Sequence, residues 1–316
     1  MTVRLGYACI NMHLQERKPG KVTCNRGMIK RTFLAKGTEY ASQLALLNTL
    51  DLIKIIAWNN EQGIKVFRMT SCLFPWMSEY ELSDLPDFEG IKANLEYAGK
   101  LARDNGQRLS FHPGPFNILT SPKEKVVESS ILDLTRHGEI MDLLGQPRNH
   151  WAKINIHLGA SYGDREGSIE RWCRNFERLP DSVQSRLTLE NDDRGNLYST
   201  KMIYDGVYKR LGVPIVFDSH HFECGPQDTS YEEAIGMAVE TWPDGIIPQC
   251  HHSNSKKEYE DPSVVKSAHS AYYYKPFESC GYTVDVVLEA KAKERALFKY
   301  LRDFVNPKET KVSKVA

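Results

Sequence analysis

AKINIHLG (152–159) and SRLTLEN (185–191) are the stretches whose reading decides the fold class. Each is a short run of alternating or β-branched apolar residues, of strand length, that ends on an imidazole or a carboxylate. Six further runs share that length and apolar character: RLGYACI (4–10), IKVFRMT (64–70), RLSFHPG (108–114), VPIVFDSHH (213–221), IIPQCHHSN (246–254) and YTVDVVLEA (282–290). Between them lie segments in which apolar residues recur every three or four positions and a glycine follows as a stop. The clearest are EYASQLALLNTLDLIKIIAWNNEQG before Gly63, FEGIKANLEYAGKLARDNG at Gly106 and KEKVVESSILDLTRHGEIMDLLG at Gly145. Eight strands alternating with helices over about 300 residues match an α/β (β/α)8 TIM barrel. A doubly wound sheet would carry a glycine-rich phosphate loop after its first strand. Here CINMHLQERKPGK follows instead, with no G-x-G-x-x-G.

The rest of the chain fits a single domain. Its 316 residues are 41% apolar and 26% charged, the composition of an ordinary globular protein. Lys+Arg and Asp+Glu are both 41, so net charge gives no sign of a nucleic-acid or membrane partner. No apolar run approaches the roughly 18 residues of a membrane span. The longest, Leu44 to Trp58, is broken by Asn48, Asp51 and Lys54. MTVRLGYACI lacks a signal-peptide pattern, and seven scattered cysteines without a C-x-x-C pair fit a reducing cytoplasm. With no linker-like segment, the expected organisation is one domain over 1–305 and a basic, disordered tail over 306–316.

In such a barrel the chemistry gathers at the C-terminal ends of the strands. Those ends hold His112, His157, Glu190, Asp218, His221, His251 and Glu289, and His269 follows on the loop after strand seven. A lone strand-end histidine is ordinarily a hydrogen-bonded structural residue, and Glu289 alone could simply open the last helix. Five imidazoles and three carboxylates on one rim are different, because they are the donors that Zn²⁺, Mn²⁺ and Fe²⁺ take. Several carboxylates can bridge two or three ions. Within His220–His221 and His251–His252, strand alternation lets only one member of each pair face the site. His137 and His150, on or after a helix, read as surface residues. YYYKP (272–276) reads equally as a stacking surface or as packing.

One local charge cluster stands out. Between Gln15 and Lys36 there are seven Lys/Arg, among them Lys21, Arg26, Lys30 and Arg31, against the single acid Glu16. This segment follows strand one and so shares the rim, where a basic loop suits a polyphosphate substrate.

Taken in order, LGYACIN, SFHPGPFN, IHLGASYG, LTLEND, the D-x-x-H of DSHH and VVLEAKAKE resemble the UV damage endonuclease family along nearly the whole chain. That family is related in architecture to the endonuclease IV class. The resemblance implies a DNA repair enzyme that hydrolyses the phosphodiester immediately 5′ to cyclobutane dimers and 6–4 photoproducts, leaving a 3′-hydroxyl and a 5′-phosphate. It implies divalent metal, manganese before zinc or magnesium, as two or three ions. The same eight residues match the family's ligands, and Glu190, Glu289 and His251 are expected to carry catalysis. By the same resemblance Tyr7 and Asn11 line the lesion site. Two positions depart from the pattern. Pro115-Phe116 replace a Gln-Tyr that probes the opposite strand; both are still expected at the DNA, where Phe116 can stack on a base but Pro115 cannot make glutamine's hydrogen bonds. Gln249 stands where some relatives carry a modified lysine.

The partner expected is therefore double-stranded DNA bearing UV photoproducts. The chain is expected to work as a monomer in the cytoplasm, at the nucleoid, with no membrane and no obligate protein partner. Three other readings use the same scaffold: an abasic-site endonuclease of the endonuclease IV type, a metal-dependent sugar isomerase or epimerase, and a non-catalytic damage-binding protein. The basic segment speaks against the isomerase, and a full ligand set speaks against the binder.

Overall fold

The structure, a computed structural model, describes residues 3–307; all of the expected tail beyond Pro307 lies outside the described residues. Eight parallel strands follow one another in chain order: β1 (Arg4–Cys9), β2 (Val66–Met69), β3 (Arg108–Ser110), β4 (Ile154–His157), β5 (Leu187–Glu190), β6 (Ile215–Val216), β7 (Gln249–His252) and β8 (Asp285–Leu288). They form a five-stranded sheet in the order β3-β2-β1-β8-β7 and a three-stranded sheet in the order β4-β5-β6. Single parallel bridges join the two at both seams, Phe111 with Ile154 and Asp218 with His251. The strand succession is that of the (β/α)8 fold expected from the alternation of runs.

Helices Lys30–Glu61, which is broken at Gly37 (φ 62°, ψ -158°), Phe88–Asp104 and Glu124–Leu143 occupy the periodic segments, and Gly63, Gly106 and Gly145 follow them with φ of 70°, 61° and 62°. A left-handed residue is what ends a helix there at no steric cost. Gly99 serves a different end: a Cβ on it would fall 1.7 Å from the Leu144 carbonyl oxygen, so two helices close on a bare Cα. Among the described residues no helix is long and apolar enough to cross a membrane, and the seven cysteines are free thiols.

Strand alternation divides two chemistries. Tyr7, Phe67, Leu109, Ile154, Ile156, Leu187, Leu189, Cys250, Val286 and Leu288 join the large apolar core packed against the helices. Their neighbours point to the other face, into the space the strands enclose. There an apolar plug of Ala8, Val66 and Val287 stands apart from the main core. Apart from Val216 on β6, the other side chains described on that face are polar. At its base Arg108 and Asp285, both side chains 0% exposed, form an ion pair of 2.9 Å. Above it lie Ser110, Asn155, Thr188 and Gln249, all buried. The site sits at the top of this polar column.

One element departs from expectation. VPIVFDSHH is strand only at Ile215–Val216; Asp218 then caps helix Ser219–Cys224, its Oδ1 accepting from the backbone N–H groups of His220 and His221 at 2.8 Å. His220 and His221 are therefore separated by helical geometry, not by strand alternation.

Candidate metal centre

Glu190, at the end of β5, is fully buried among three imidazoles. His112 Nε2 lies 2.7 Å and His157 Nε2 2.8 Å from its Oε1, while His251 Nδ1 lies 2.8 Å from its Oε2. Asn155, two residues before His157 on β4, donates to the same Oε2 at 2.7 Å and fixes the carboxylate plane. His251 Nδ1 also lies 3.0 Å from Glu289 Oε1, which brings the end of β8 into the cluster. His221 Nδ1 stands 3.8 Å from Glu190 and 3.9 Å from Asp218 Oδ2. His269 Nδ1 stands 4.0 Å from Glu289 Oε2. All eight residues read from the strand ends and the following loop thus meet in one continuous cluster.

Three of the five histidines share one orientation. His112 Nδ1 faces the Pro113 carbonyl at 3.2 Å, His221 Nδ1 that of Asn191 at 3.0 Å, and His269 Nδ1 that of Glu289 at 2.8 Å. A carbonyl only accepts, so each Nδ1 carries the proton and each Nε2 presents a lone pair. His157 uses the Asp192 carboxylate in the same way, at 2.8 Å. Oriented imidazoles backed by carbonyl or carboxylate acceptors are the usual support of metal-ligating histidines.

Whether these residues suit a cation can be tested on atoms left without partners. Asp218 Oδ2 and His251 Nδ1 are buried and make no hydrogen bond. His251 Nδ1 is nonetheless close to two carboxylates, so the approach has the distance but not the direction of a hydrogen bond. Two trios, His112/His157/Glu190 and Glu190/Asp218/His251, each place one donor atom per residue within 4.8 Å of the others and share Glu190. Nitrogen and carboxylate donors in two adjoining trios around one common carboxylate fit a pair of divalent cations.

Electrostatics agree. Burial pushes the His112 imidazole down to about 4, which Glu190 only partly offsets. Burial also acts against charge on His157, but Glu190 and Asp192 outweigh it and hold that ring well above its ordinary value. Burial would raise Glu190 and Glu289; the surrounding histidines hold Glu190 well below the carboxylate range, and Arg68 with His251 does so for Glu289.

Several contributors were not legible as site residues in the sequence. Arg68 on β2 pairs with Glu289. Lys153, fully buried, contacts His251 Nε2 at 3.1 Å. Asp192 supports His157, and its position two residues after Glu190 was the only available signal. Gln249, by contrast, was already singled out in the sequence; it is buried with both amide atoms unpartnered, two residues before His251 on β7.

The residues expected to touch DNA divide. Phe116 is 64% exposed and Pro115 is also exposed, on the loop that carries His112. Lys21, Lys30 and Arg31 are exposed, the latter two in the first turn of helix Lys30–Glu61 rather than on a loop. Arg26 is half-buried and committed to Asp51 at 2.6 Å, so it ties down the segment. Tyr7 and Asn11 are 0% and 1% exposed; the Tyr7 hydroxyl donates to Asn59 at 2.7 Å and accepts from Asn11 at 3.0 Å. They brace the rim from within and present no surface to a ligand in this conformation. His137 is buried against Phe111, and His150 packs on Trp242, so neither is the surface residue expected. Within YYYKP, Tyr273 is packed on His252 while Tyr274 is 43% exposed and stacks on Tyr259.

The model of the UV-endonuclease UvdE family matches residues 3–316. The chain belongs to that family. It is 36% identical over 310 residues to the UV-damage endonuclease of Schizosaccharomyces pombe, an alignment covering 95% of this chain and 50% of the fungal protein. It is 30% identical over 311 residues to the UV DNA damage endonuclease of Bacillus cereus strain B4264, covering 95% and 94%. The chain spans about half the length of its fungal relatives and nearly the whole length of bacterial ones. Among solved structures, the crystal structure of SacUVDE matches with a TM-score of 0.81 at 26% identity, covering 96% of this chain and 99% of that one. A D-tagatose 3-epimerase-like protein matches with a TM-score of 0.56 at 12% identity, a likeness of fold alone.

Proposed function

We propose that this chain is a metal-dependent DNA endonuclease acting in excision repair, which hydrolyses the phosphodiester immediately 5′ to cyclobutane pyrimidine dimers and 6–4 photoproducts and leaves a 3′-hydroxyl and a 5′-phosphate. The observation that carries this reading is the Glu190 carboxylate set among His112, His157 and His251 at the head of a polar column, with Asp218, His221, His269 and Glu289 around it. Membership of the UvdE family supports the lesion class.

His112, His157, Glu190, Asp218, His221, His251, His269 and Glu289 would hold two or three divalent ions, Mn²⁺ first among them and Zn²⁺ or Mg²⁺ as substitutes. Bound there, such ions lower the pKa of water, orient the phosphate and stabilise charge on the leaving oxygen. The chain's own part is organisation. Asn155 and Asp192 fix the faces of Glu190 and His157, and Arg68 keeps Glu289 ionised. The exposed Lys21, Lys30 and Arg31 supply a footprint for phosphates beside the cluster. A photodimer stacks poorly, so kinking the duplex and extruding the two bases costs less there. Double-stranded DNA is the partner, and the enzyme acts as a monomer in the nucleoid-containing compartment.

The test is nicking of UV-irradiated against untreated supercoiled plasmid in Mn²⁺, with and without chelator. Irradiation-dependent, chelator-sensitive nicking is expected. Equal nicking of both plasmids, or none, overturns the lesion-specific endonuclease.

A further inference from the structure

Beside the metal centre lies a cleft of about 540 Å³ that the cluster itself does not use. His157, Pro115 and Ile118 line it together with the loops carrying Tyr162 and Arg194. It therefore opens directly onto a residue of the candidate centre and onto the loop bearing Phe116.

Tyr162 is built as a platform. Its φ of 49° lies in the left-handed region, which a bulky aromatic residue seldom occupies. Such strain persists only when the surroundings over-determine it, and here they do. Asp164 N–H donates to the Ser161 carbonyl at 2.8 Å and Ser168 Oγ donates to the same oxygen at 2.8 Å, which pins the turn. The Arg171 guanidinium lies 5.8 Å from the Tyr162 ring centroid. That guanidinium is itself anchored, to the Thr120 carbonyl and to Ser168 Oγ, both at 2.7 Å. An aromatic ring backed by a fixed cation yet 49% exposed offers a preset surface for stacking.

Arg194 is the complementary element. The side chain of Arg165 donates to the carbonyls of Gly195 at 2.7 Å and Asn196 at 3.3 Å, so the loop is fixed. The Arg194 guanidinium is 75% exposed and makes only a loose 3.9 Å approach to Asp193. An exposed cation and an exposed ring lining one cleft, which also touches His157 of the candidate metal centre, suit an anionic unit with a flat face.

We propose that this cleft is a nucleotide subsite: one nucleotide of the cut strand, flanking the scissile phosphate, stacks its base on Tyr162 and sets its phosphate against Arg194. The proposal rests on the endonuclease reading above and adds to it the residues that seat the strand.

The experiment uses the Mn²⁺-loaded enzyme and a UV-irradiated duplex with a phosphorothioate at the cut position to slow turnover. 2-Aminopurine is placed in turn on each side of the lesion. Tyr162→Ala is expected to weaken binding roughly 5- to 150-fold, the range for loss of one stacked base. It should also abolish the change in 2-aminopurine fluorescence at one position and not the other. Tyr162→Phe should keep both. Tyr162→Asn, which tolerates a left-handed backbone, should behave as the alanine variant and covers the case in which that variant misfolds. Arg194→Ala should reduce the slope of log affinity against log salt by about 0.9, the value for one neutralised phosphate. Bound manganese should be unchanged throughout. Wild-type affinity, fluorescence and salt slope in these variants would overturn the subsite while leaving the nuclease intact. Failure of the wild-type enzyme to nick irradiated plasmid would instead overturn the function on which the subsite rests.

Discussion

His157 stands between two carboxylates, its Nε2 2.8 Å from Glu190 Oε1 and its Nδ1 2.8 Å from Asp192 Oδ1. Asp192 thus bears on the candidate metal centre through the histidine. Asp192→Asn keeps the shape but loses the negative charge that raises the basicity of the ring. Loss of such a partner typically weakens metal binding about 10- to 100-fold. Titration of the metal-free variant with Mn²⁺ checks this, and an affinity equal to wild type would make Asp192 a loop residue only.

The same pair of carboxylates gives a pH dependence. Because Glu190 and Asp192 hold His157 well above its ordinary value, the metal-free ring keeps its proton to higher pH than a free imidazole does. A metal ligand must be neutral, so binding has to expel that proton. Metal affinity should therefore rise with pH, and the rise should flatten once the pH passes the raised value. Calorimetry of Mn²⁺ binding in two buffers of different ionisation enthalpy reads the released proton directly; no difference between buffers would show His157 to be neutral already.

Glu190 and Glu289 should separate under the same substitution. Glu190→Gln removes the carboxylate common to both donor trios and is expected to abolish metal binding and nicking, with the melting temperature of the metal-free protein nearly unchanged. Glu289→Gln is expected to abolish nicking too, but it also strands Arg68, whose side chain is 10% exposed. Breaking a buried pair by removing one partner costs about 3–5 kcal/mol. The melting temperature of Glu289→Gln should therefore fall clearly below that of Glu190→Gln, and adding Arg68→Met should restore much of the difference. Near wild-type nicking by either variant in excess Mn²⁺ would remove that residue from the centre.

Seven of the eight clustered residues were legible because each lies at or just beyond the end of a strand run, where fold and chemistry read off the same alternation; His269, on the loop after β7, was read from its residue type and the resemblance. Their supports were not. Arg68, Asn155 and Lys153 are ordinary residue types inside or beside apolar runs, and only strand register carries them to Glu289, Glu190 and His251. The run VPIVFDSHH misled in its extent for a local reason: it reads as one strand through His221, yet the Asp218 side chain captures the next two N–H groups and starts a helix. His137 misled because a histidine on a helix is judged by its own segment, while its burial comes from Phe111 across the core.

The basic segment can be divided by experiment along the line the structure draws. Lys30 and Arg31 occupy a helix N-terminus, where the macrodipole disfavours cations, so helix stability does not account for them. Replacing Lys21, Lys30 and Arg31 by Ala should lower the salt slope of DNA binding by about 0.9 for each phosphate that is no longer neutralised. Metal content and melting temperature should hold. Arg26→Ala should do the reverse, costing stability through the freed Asp51 and leaving the slope nearly as it was. An unchanged slope in the triple variant would place the phosphate footprint elsewhere on the rim.

Phe116 carries the sharpest distinction between packing and recognition. It follows His112 by four residues, and its ring is 64% exposed, so it contributes little to the core that Leu109 and Phe111 already fill. The ring lies over Gly114, where an added Cβ would come 2.4 Å from Phe116 Cε1. A bare glycine therefore lets an aromatic ring rest flat on the rim beside the metal centre. Stacking on a base is worth about 1–3 kcal/mol, so Phe116→Ala should lower affinity for photodimer DNA roughly 5- to 150-fold. Its melting temperature and metal content should match wild type, because so little of the ring is buried. Gly114→Ala should act in the same direction without touching the ring's chemistry, by displacing it from its seat. If Phe116→Ala instead lowered the melting temperature and left lesion affinity intact, the ring would be a packing element and stacking at this edge of the site would have to come from another residue.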